Sequence, residues 1–388
     1  MAGNLLVFHG GAPTAVMNAS LAAVLDRAEA AGGQVGRILA ARGGSGALLR
    51  RDFLDLRQVS AQQRRRLPYT PASAIHSSRD PLEAEDYQAL VEVLRQEDIR
   101  YVLVNGGNGS MDCCGRLEAA CREARYEAYV IGIPKTIDND LALTDHAPGF
   151  GSCARYMAAS TAELCCDVDA LPIHVSVLEA MGRSAGWLAA SASLAEEIYG
   201  QGPDFIYTPE RVFDQERFLE DVAQLISRKG RGVIVVSEGL HDATGASIVP
   251  PLMRIGRATY FGDVSTHLAQ LIIRELGYKA RSEKPGILGR ASSAWQSSVD
   301  REEAWLVGAE AVKAALSGET AKMVALRRLP GADYRVETWL APIAEVMLTE
   351  RLMPQDFLNA SGNQVSPAFK DWCRPLLGPL PERLAELF

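Results

Sequence analysis

Short runs of apolar, often β-branched residues alternate along the chain with longer stretches whose apolar positions recur every three to four residues. The short runs, at Asn4–His9, Tyr101–Asn105, Ala128–Ile133, Ile173–Leu178 and Gly232–Ser237, close on Gly, Ser or Asn and predict buried parallel strands. The longer stretches predict helices over Val16–Ala31, Pro81–Glu97, Ser110–Arg125, Ala154–Asp167, Arg183–Tyr199, Gln215–Lys229 and Thr266–Leu276. Such alternation predicts a doubly wound α/β architecture with helices on both faces of each sheet. With 388 residues, and roughly 150 per domain, the chain has room for two or three domains. Ligands of such sheets bind beyond the carboxyl ends of the strands, so the residues following each strand are the candidates for chemistry.

Composition narrows the classes. Hydrophobic residues make up 47% and charged residues 23%, which excludes disorder, a collagen-like repeat and a coiled coil. No apolar run approaches the roughly 20 residues of a spanning helix, and the N-terminus has no basic flank or cleavage site, so neither a membrane protein nor a signal peptide is expected. Seven cysteines, including the adjacent pairs Cys113-Cys114 and Cys165-Cys166, fit neither a disulfide framework nor a metal site. They read as buried apolar residues in a reducing cytoplasm. Forty basic residues against 48 acidic give a net charge of −8, which argues against a nucleic-acid partner. An anionic small ligand remains open wherever basic residues gather locally. The run Arg64-Arg65-Arg66 reads as a solvated helix end.

Two of the strand ends are rich in glycine: His9-Gly10-Gly11-Ala12-Pro13-Thr14 and Asn105-Gly106-Gly107-Asn108-Gly109-Ser110, the second directly before a helix. Glycines there let backbone N–H groups approach an anion, and the helix N-terminus adds partial positive charge. A tight turn is the simpler account of each. Neither is a Rossmann fingerprint, and no Walker-type P-loop occurs.

After the third strand comes Pro134-Lys135-Thr136-Ile137-Asp138-Asn139-Asp140. Phosphoryl transfer needs these parts together: a cation to neutralise phosphate charge, one carboxylate to hold Mg²⁺ and another to accept the attacking hydroxyl's proton. A turn rich in Asp and Asn that caps the next helix is the alternative.

At this point the chain resembles the phosphofructokinase superfamily, and within it the pyrophosphate-dependent branch. The likeness runs in order through Gly10-Gly11 with Met17-Asn18, Ser77-Ser78-Arg79, Gly106–Ser110, Pro134–Asp140 and Thr144–Gly151. It continues through Glu179–Trp187, Pro209-Glu210, Ser237-Glu238-Gly239, the block Arg281–Asp300, and Met353–Phe357 through Arg374–Gly378. The resemblance implies two Rossmann-like, three-layer α/β/α domains. A phosphoryl-donor domain is expected near 1–149 plus 289–340, and an acceptor domain near 150–288 plus 341–388. Asp138 would be the general base, Asp140 would help hold Mg²⁺, and Thr136 would hydrogen-bond near the reacting centre. Arg79 and the Gly10-Gly11 turn would face the donor, with Gly107, Asn108, Gly109 and Ser110 beside them. Arg183 would stabilise the transferring group, with Met181 and Gly182 lining the acceptor sugar and Glu210 accepting its hydroxyls. Arg281 and Arg290 would bind the acceptor's phosphate. The family's sites are completed across a subunit contact, which implies a homodimer or homotetramer.

The donor signals conflict. In the family, glycine at position 109 resembles ATP users, while lysine at position 135 resembles pyrophosphate users. Physics favours the lysine, because a long cationic side chain where an α-phosphate would lie blocks a nucleotide and neutralises pyrophosphate. Asn108, where ATP users offer the metal an aspartate, weakens the ATP reading further. The acceptor pocket departs from the pattern at His174, Ile287 and Gly289, where polar or basic residues are usual. Fructose 6-phosphate leads by its prevalence in the family. An unphosphorylated sugar or polyol stays open, as does Lys284, Lys279 or His174 covering the phosphate instead. A non-catalytic paralogue is the reading from another class, and the intact Lys135, Asp138, Asp140 and Arg183 count against it.

Overall fold

A computed structural model of the chain describes residues 3–255 and 258–385. It divides into two compact units, Met1–Ser152 with Arg290–Arg351, and Cys153–Gly289 with Leu352–Phe388.

The first unit begins with strands β1 (Asn4–His9), β2 (Ile38–Ala41), β3 (Phe53–Asp55), β4 (Ile99–Gly106) and β5 (Tyr129–Pro134). The second contains β6 (Val175–Ala180), β7 (Phe205–Tyr207), β8 (Gly232–Ser237), the hairpin β9 (Pro251–Ile255) and β10 (Ala258–Phe261), and β11 (Ala280–Glu283). The chain then returns to the first unit for β12 (Lys322–Arg328) and β13 (Val336–Pro342).

In the first unit these strands form one sheet in the order β13-β12-β5-β4-β1-β2-β3. It is parallel except at its edges, where β3 and β13 run antiparallel to their neighbours. Alternate residues of β1 serve opposite faces: Leu6 and Phe8 pack with helices Ala84–Gln96 and Asn108–Glu123, Leu5 and Val7 with helices Met17–Ala30 and Ser298–Leu316. Full burial on both sides is why these strands read as unbroken apolar runs. The strand order reverses between β1 and β4, where the chain leaves in opposite directions and opens a crevice at the carboxyl ends.

The second unit's main sheet is parallel, in the order β11-β6-β8-β7, with its reversal between β6 and β8. Helices Gln215–Lys229 and Val264–Leu276 cover one face, and Cys165 and Val168 of helix Phe150–Ala170 pack on Val233 from the other. The C-terminal segment is held by an aromatic cluster of Trp187, Phe357, Phe369 and Trp372, with ring centroids 4.9–6.5 Å apart.

Four expectations change. The expected second crossing at residue 340 falls inside β13, whose pairing with β12 continues to Pro342; Ile343 and Met347 then pack on Gly115, so the crossing comes after Arg351. The strand expected at Ile173–Leu178 lies two residues later, because Ile173 is exposed while Ala180 pairs with Ser237. The helix expected from Arg183 starts only at Trp187, because Glu210 takes the Gly186 N–H and holds the preceding residues as a loop. All seven cysteines are free thiols, but Cys113 and Cys166 are only half-buried, since adjacent helix positions face directions about 100° apart. Arg64–Arg66 form the last turn of helix Ala61–Arg66. Among the described residues, no helix is long and apolar enough to cross a membrane.

Candidate active site

In the first unit the crevice between β1 and β4 is built by close backbone approach. A Cβ on Gly10 or Gly106 would lie 2.2 or 2.0 Å from Ser110 Oγ, so both glycines make room for the serine opening helix Asn108–Glu123. The amides of Gly10 and Gly11 are spent on the carbonyls of Asn105 and Ser78, each at 2.9 Å. Both amides are thus tied into the backbone of the crevice wall. The first two amides of helix Asn108–Glu123, those of Asn108 and Gly109, have no intrahelical acceptor, whereas Ser110 and Met111 both donate to the Gly107 carbonyl.

Arg79 is exposed on a loop fixed at both ends. Ser77 donates to the Gly11 carbonyl at 2.7 Å, and one Asp80 oxygen collects Ser45 Oγ, the Gly46 N–H and Ser78 Oγ at 2.5–3.0 Å. Lys135 follows β5 and is only 4% exposed; its ammonium donates to the Ala12 carbonyl at 2.6 Å. Burial pushes its pKa down to about 8, resisted by Asp138 and Asp140 and reinforced by Arg79 and Arg290. One lysine, two carboxylates and two arginines thus share one electrostatic neighbourhood.

Thr136 organises the acidic pair. Its hydroxyl accepts from the Asp138 N–H at 3.0 Å and donates to Asp140 Oδ1 at 2.9 Å. The amide of Asn108 donates to Asp140 Oδ2 at 3.0 Å, while Asn108 Oδ1 is buried with no hydrogen-bond partner. Asn139 sits between the acids in a left-handed conformation (φ 56°), and its Oδ1 accepts from the Ala147 N–H.

In the second unit the loop after β6 carries Met181-Gly182-Arg183, clamped by the loop after β8. Ser237 Oγ donates to the Gly182 carbonyl at 2.5 Å, and Glu238 accepts from the Gly182 N–H at 3.2 Å. A Cβ on Gly239 would lie 1.8 Å from the Arg183 carbonyl oxygen. Arg183 is exposed, lies over the Phe261 ring at 5.9 Å, and lines an open cleft of about 470 Å³ with Glu179, Glu238 and Lys284. Glu210 Oε1 accepts from the Gly186 and Met353 N–H groups at 2.9 and 3.1 Å, leaving Oε2 buried and unpartnered.

A profile of the Phosphofructokinase family matches residues 4–315. The chain belongs to the phosphofructokinase family. It is 40% identical over 393 residues to the pyrophosphate–fructose 6-phosphate 1-phosphotransferase of Xanthomonas campestris pv. campestris (strain B100), covering 97% of this chain and 91% of that protein. Similarity to the sulfofructose kinase of Alkalicoccus urumqiensis is 33% identity over 312 residues, 79% of each chain. The crystal structure of the pyrophosphate-dependent phosphofructokinase from Nitrosospira multiformis superposes with a TM-score of 0.89 at 32% identity, covering 100% of this chain and 95% of that one.

Within this phosphofructokinase, the residues expected to serve one acceptor do not all gather. Arg290, expected at the acceptor's phosphate, belongs to the first unit and adds to the positive field at Lys135. Arg281 pairs with Ser176 at the start of β6, with His174 just before it. Met181 follows the other end of that strand, and at about 3.3 Å per residue the separation is roughly 16–20 Å. His174 is buried, its Nδ1 has no partner, and burial together with the Arg281 charge pushes its pKa down. Ile287 is 71% exposed, and a Cβ on Gly289 would lie 2.7 Å from the Tyr156 ring, so Tyr156 excludes a larger side chain there. Lys284, one candidate to replace the missing phosphate ligands, is bound instead to Asp263 at 2.6 Å and to buried Glu179 at 2.9 Å.

Sequence reasoning missed the buried groups behind the acidic loop. His146 lies between Asp145 at 2.8 Å and Glu303 at 2.6 Å, with Tyr334 donating to Glu303 and Arg328 pairing with Asp145 at 3.2 Å. Burial alone would depress the imidazole, but the two carboxylates raise its pKa to about 9. The Arg351 N–H donates to the Asp140 carbonyl at 2.8 Å. Asp145 and His146 are adjacent, within the Thr144–Gly151 stretch already singled out, but the second carboxylate, Glu303, lies 157 positions away and nothing in the local sequence points to it.

Proposed function

We infer that the chain transfers a phosphoryl group from pyrophosphate to the 1-hydroxyl of fructose 6-phosphate, giving fructose 1,6-bisphosphate and phosphate. The observation that carries the donor assignment is Lys135, a buried ammonium in the field of Asp138, Asp140, Arg79 and Arg290. A short dense anion suits that position, and the lysine stem occupies space a nucleotide's α-phosphate would need. The relative from Xanthomonas, named for both substrates, supports the same assignment.

In this reading Asp138 takes the proton of the attacking hydroxyl. The acceptor oxygen bonds to the nearer phosphorus as the bridging P–O bond breaks, and the departing phosphate keeps that electron pair. Lys135, Arg79, Arg290 and the helix amides at Asn108 and Gly109 bind the donor's charge, and Arg183 offsets charge on the transferring group. Glu210 Oε2, buried without a partner, accepts a sugar hydroxyl.

Mg²⁺ fits the residues present. It is usually held by one or two carboxylates plus substrate phosphates, and Asp140 lies beside the unpartnered Asn108 Oδ1. Asp140 and Asn108 would hold the ion, which would supply charge neutralisation across the donor phosphates. Among the described residues, no group of three or more His, Cys, Asp or Glu side chains forms an all-protein metal cage.

We further read the protein as a cytoplasmic homodimer or homotetramer whose acceptor phosphate is bound by Arg281 and His174 of a second copy. Support comes from their position at the strand end opposite Met181. The first unit would then be the donor domain and the second the acceptor domain.

The test is turnover by purified protein with Mg²⁺ and either pyrophosphate or ATP, across fructose 6-phosphate, sulfofructose, free sugars and polyols, with products read by mass. Fructose 1,6-bisphosphate formed with pyrophosphate is the expected result. Turnover with ATP and none with pyrophosphate would overturn the donor assignment, and preference for an unphosphorylated sugar would overturn the acceptor.

A further inference from the structure

Three buried polar side chains share one face of the first unit's sheet at its carboxyl edge, and the mechanism above uses only one of them. His9 is the register partner of Asn105 in parallel β1 and β4, and Asn105 is the partner of Ile133 in β5. Register partners in a parallel sheet point to the same face, and Lys135 follows Ile133 by two positions, which keeps that parity. His9 and Asn105 are both fully buried, and Lys135 nearly so.

The hydrogen-bond accounting around His9 fixes its tautomer. Ser73 Oγ donates its single hydrogen to the His76 carbonyl at 2.7 Å. The contact between His9 Nδ1 and Ser73 Oγ, at 2.8 Å, therefore has the imidazole as donor. Nδ1 carries the proton, and Nε2 presents a lone pair that meets no donor. Burial and the Lys135 charge hold the ring neutral, with a pKa of about 3. Asn105 behaves in parallel: its amide donates to the Met17 carbonyl at 3.5 Å, and its Oδ1 is also buried without a partner. Two neighbouring acceptors are thus desolvated and unmatched beside a buried ammonium. That arrangement is costly unless something donates to both.

We propose that His9 and Asn105 are positioning residues for Lys135, holding one buried water that donates to His9 Nε2 and Asn105 Oδ1 and accepts a hydrogen bond from the Lys135 ammonium. One water has the two hydrogens and the lone pair this requires. The Ala12 carbonyl takes a second ammonium hydrogen, and the third is left for pyrophosphate. The seat is neutral, so it orients the cation without cancelling the charge that binds the donor.

The inference rests on the pyrophosphate reading, and calorimetric titration of the full-length protein with inorganic pyrophosphate and Mg²⁺ separates the two. His9→Phe should weaken pyrophosphate binding by roughly tenfold or more, the worth of a charge-assisted hydrogen bond. His9→Gln, whose amide oxygen can occupy the Nε2 position, should stay within about threefold of wild type, and fructose 6-phosphate binding should be unchanged in both. Wild-type binding of pyrophosphate that His9→Phe retains overturns this inference alone, as does a His9→Gln defect equal to that of His9→Phe. Wild-type protein that does not bind pyrophosphate overturns the donor reading and this inference with it. Should His9→Phe not fold, ¹⁵N-histidine spectra of the wild type carry the test. Protonated Nδ1 and bare Nε2 are expected at His9, and a proton on Nε2 overturns the proposal.

Discussion

Replacing His146 with glutamine tests whether the acidic loop is held by a buried ion network. His146 is 1% exposed and bridges Asp145 and Glu303 at 2.8 and 2.6 Å. The other charged or titratable groups around it are Tyr334, which donates to Glu303, Arg328, which pairs with Asp145, and Arg351, which feels the Asp145 charge. The folded pKa of about 9 lies above the ordinary value of 6.5. A raised base contributes stability that is fully present below pH 6.5 and is lost as pH rises through 9. The gap is worth on the order of 3 kcal/mol at about 1.4 kcal/mol per pH unit. His146→Gln leaves buried Glu303 without its cation, while half-buried Asp145 keeps Arg328, a loss of about 3–5 kcal/mol.

The assay is urea unfolding of wild type and His146→Gln at pH 6 and pH 10, followed by intrinsic fluorescence. At pH 6 the variant should be several kcal/mol less stable. By pH 10 the deficit should shrink by on the order of 3 kcal/mol, because the wild type has by then lost the imidazolium charge. A deficit of the same size at both pH values would refute the reasoning, since it would mean that packing or a neutral hydrogen bond, and not the charge, is what the substitution removes.

Other substitutions probe the site piece by piece. Asp138→Ala should lower kcat by about 10²–10⁴ with little change in pyrophosphate affinity, read by single-turnover kinetics; wild-type turnover would remove it as general base. Lys135→Gly should weaken pyrophosphate binding by roughly ten- to a hundredfold, measured by calorimetry. Gly239→Ala should destabilise the second unit by about 1–3 kcal/mol and raise KM for the acceptor, because the added carbon meets the Arg183 backbone at 1.8 Å. Gly109→Asp should leave the melting temperature unchanged or slightly higher, since nothing lies within 4 Å of the new Cβ and an acid suits the first turn of a helix.

Much of the first sheet was legible because β1, β4 and β5 are buried on both faces, so each appears as a bounded apolar run. The three-residue strands β3 and β7 are too short to show a period, and β12 hides its apolar centre between Lys322 and Arg327-Arg328. Helix Ser298–Leu316 escaped for another reason. It carries Asp300 and Glu303 on its buried side and exposes Leu306 between Glu302 and Lys313, so neither face is cleanly apolar or cleanly polar. Asp300 is buried because it accepts from the Gly149 and Ser152 N–H groups and so caps the start of helix Phe150–Ala170, a tie between residues about 150 positions apart.

The candidate site divides along the same line. Lys135, Thr136, Asp138 and Asp140 lie within six positions, and a single strand end delivers them together, so residue types and spacing were enough to find them. What decides how Lys135 works is carried by β1 and β4: the Ala12 carbonyl, and the unmatched lone pairs of His9 and Asn105. The glycine turns follow the same logic. Gly10 and Gly106 are small because Ser110 must fit between them, a requirement set by packing and invisible in either turn alone. Lys284 illustrates the converse: a basic residue near the expected phosphate pocket is, in the fold, the counter-ion of buried Glu179. A charge count along the chain finds where ligands can be bound, but only the register of neighbouring strands determines which charges are still available to bind them.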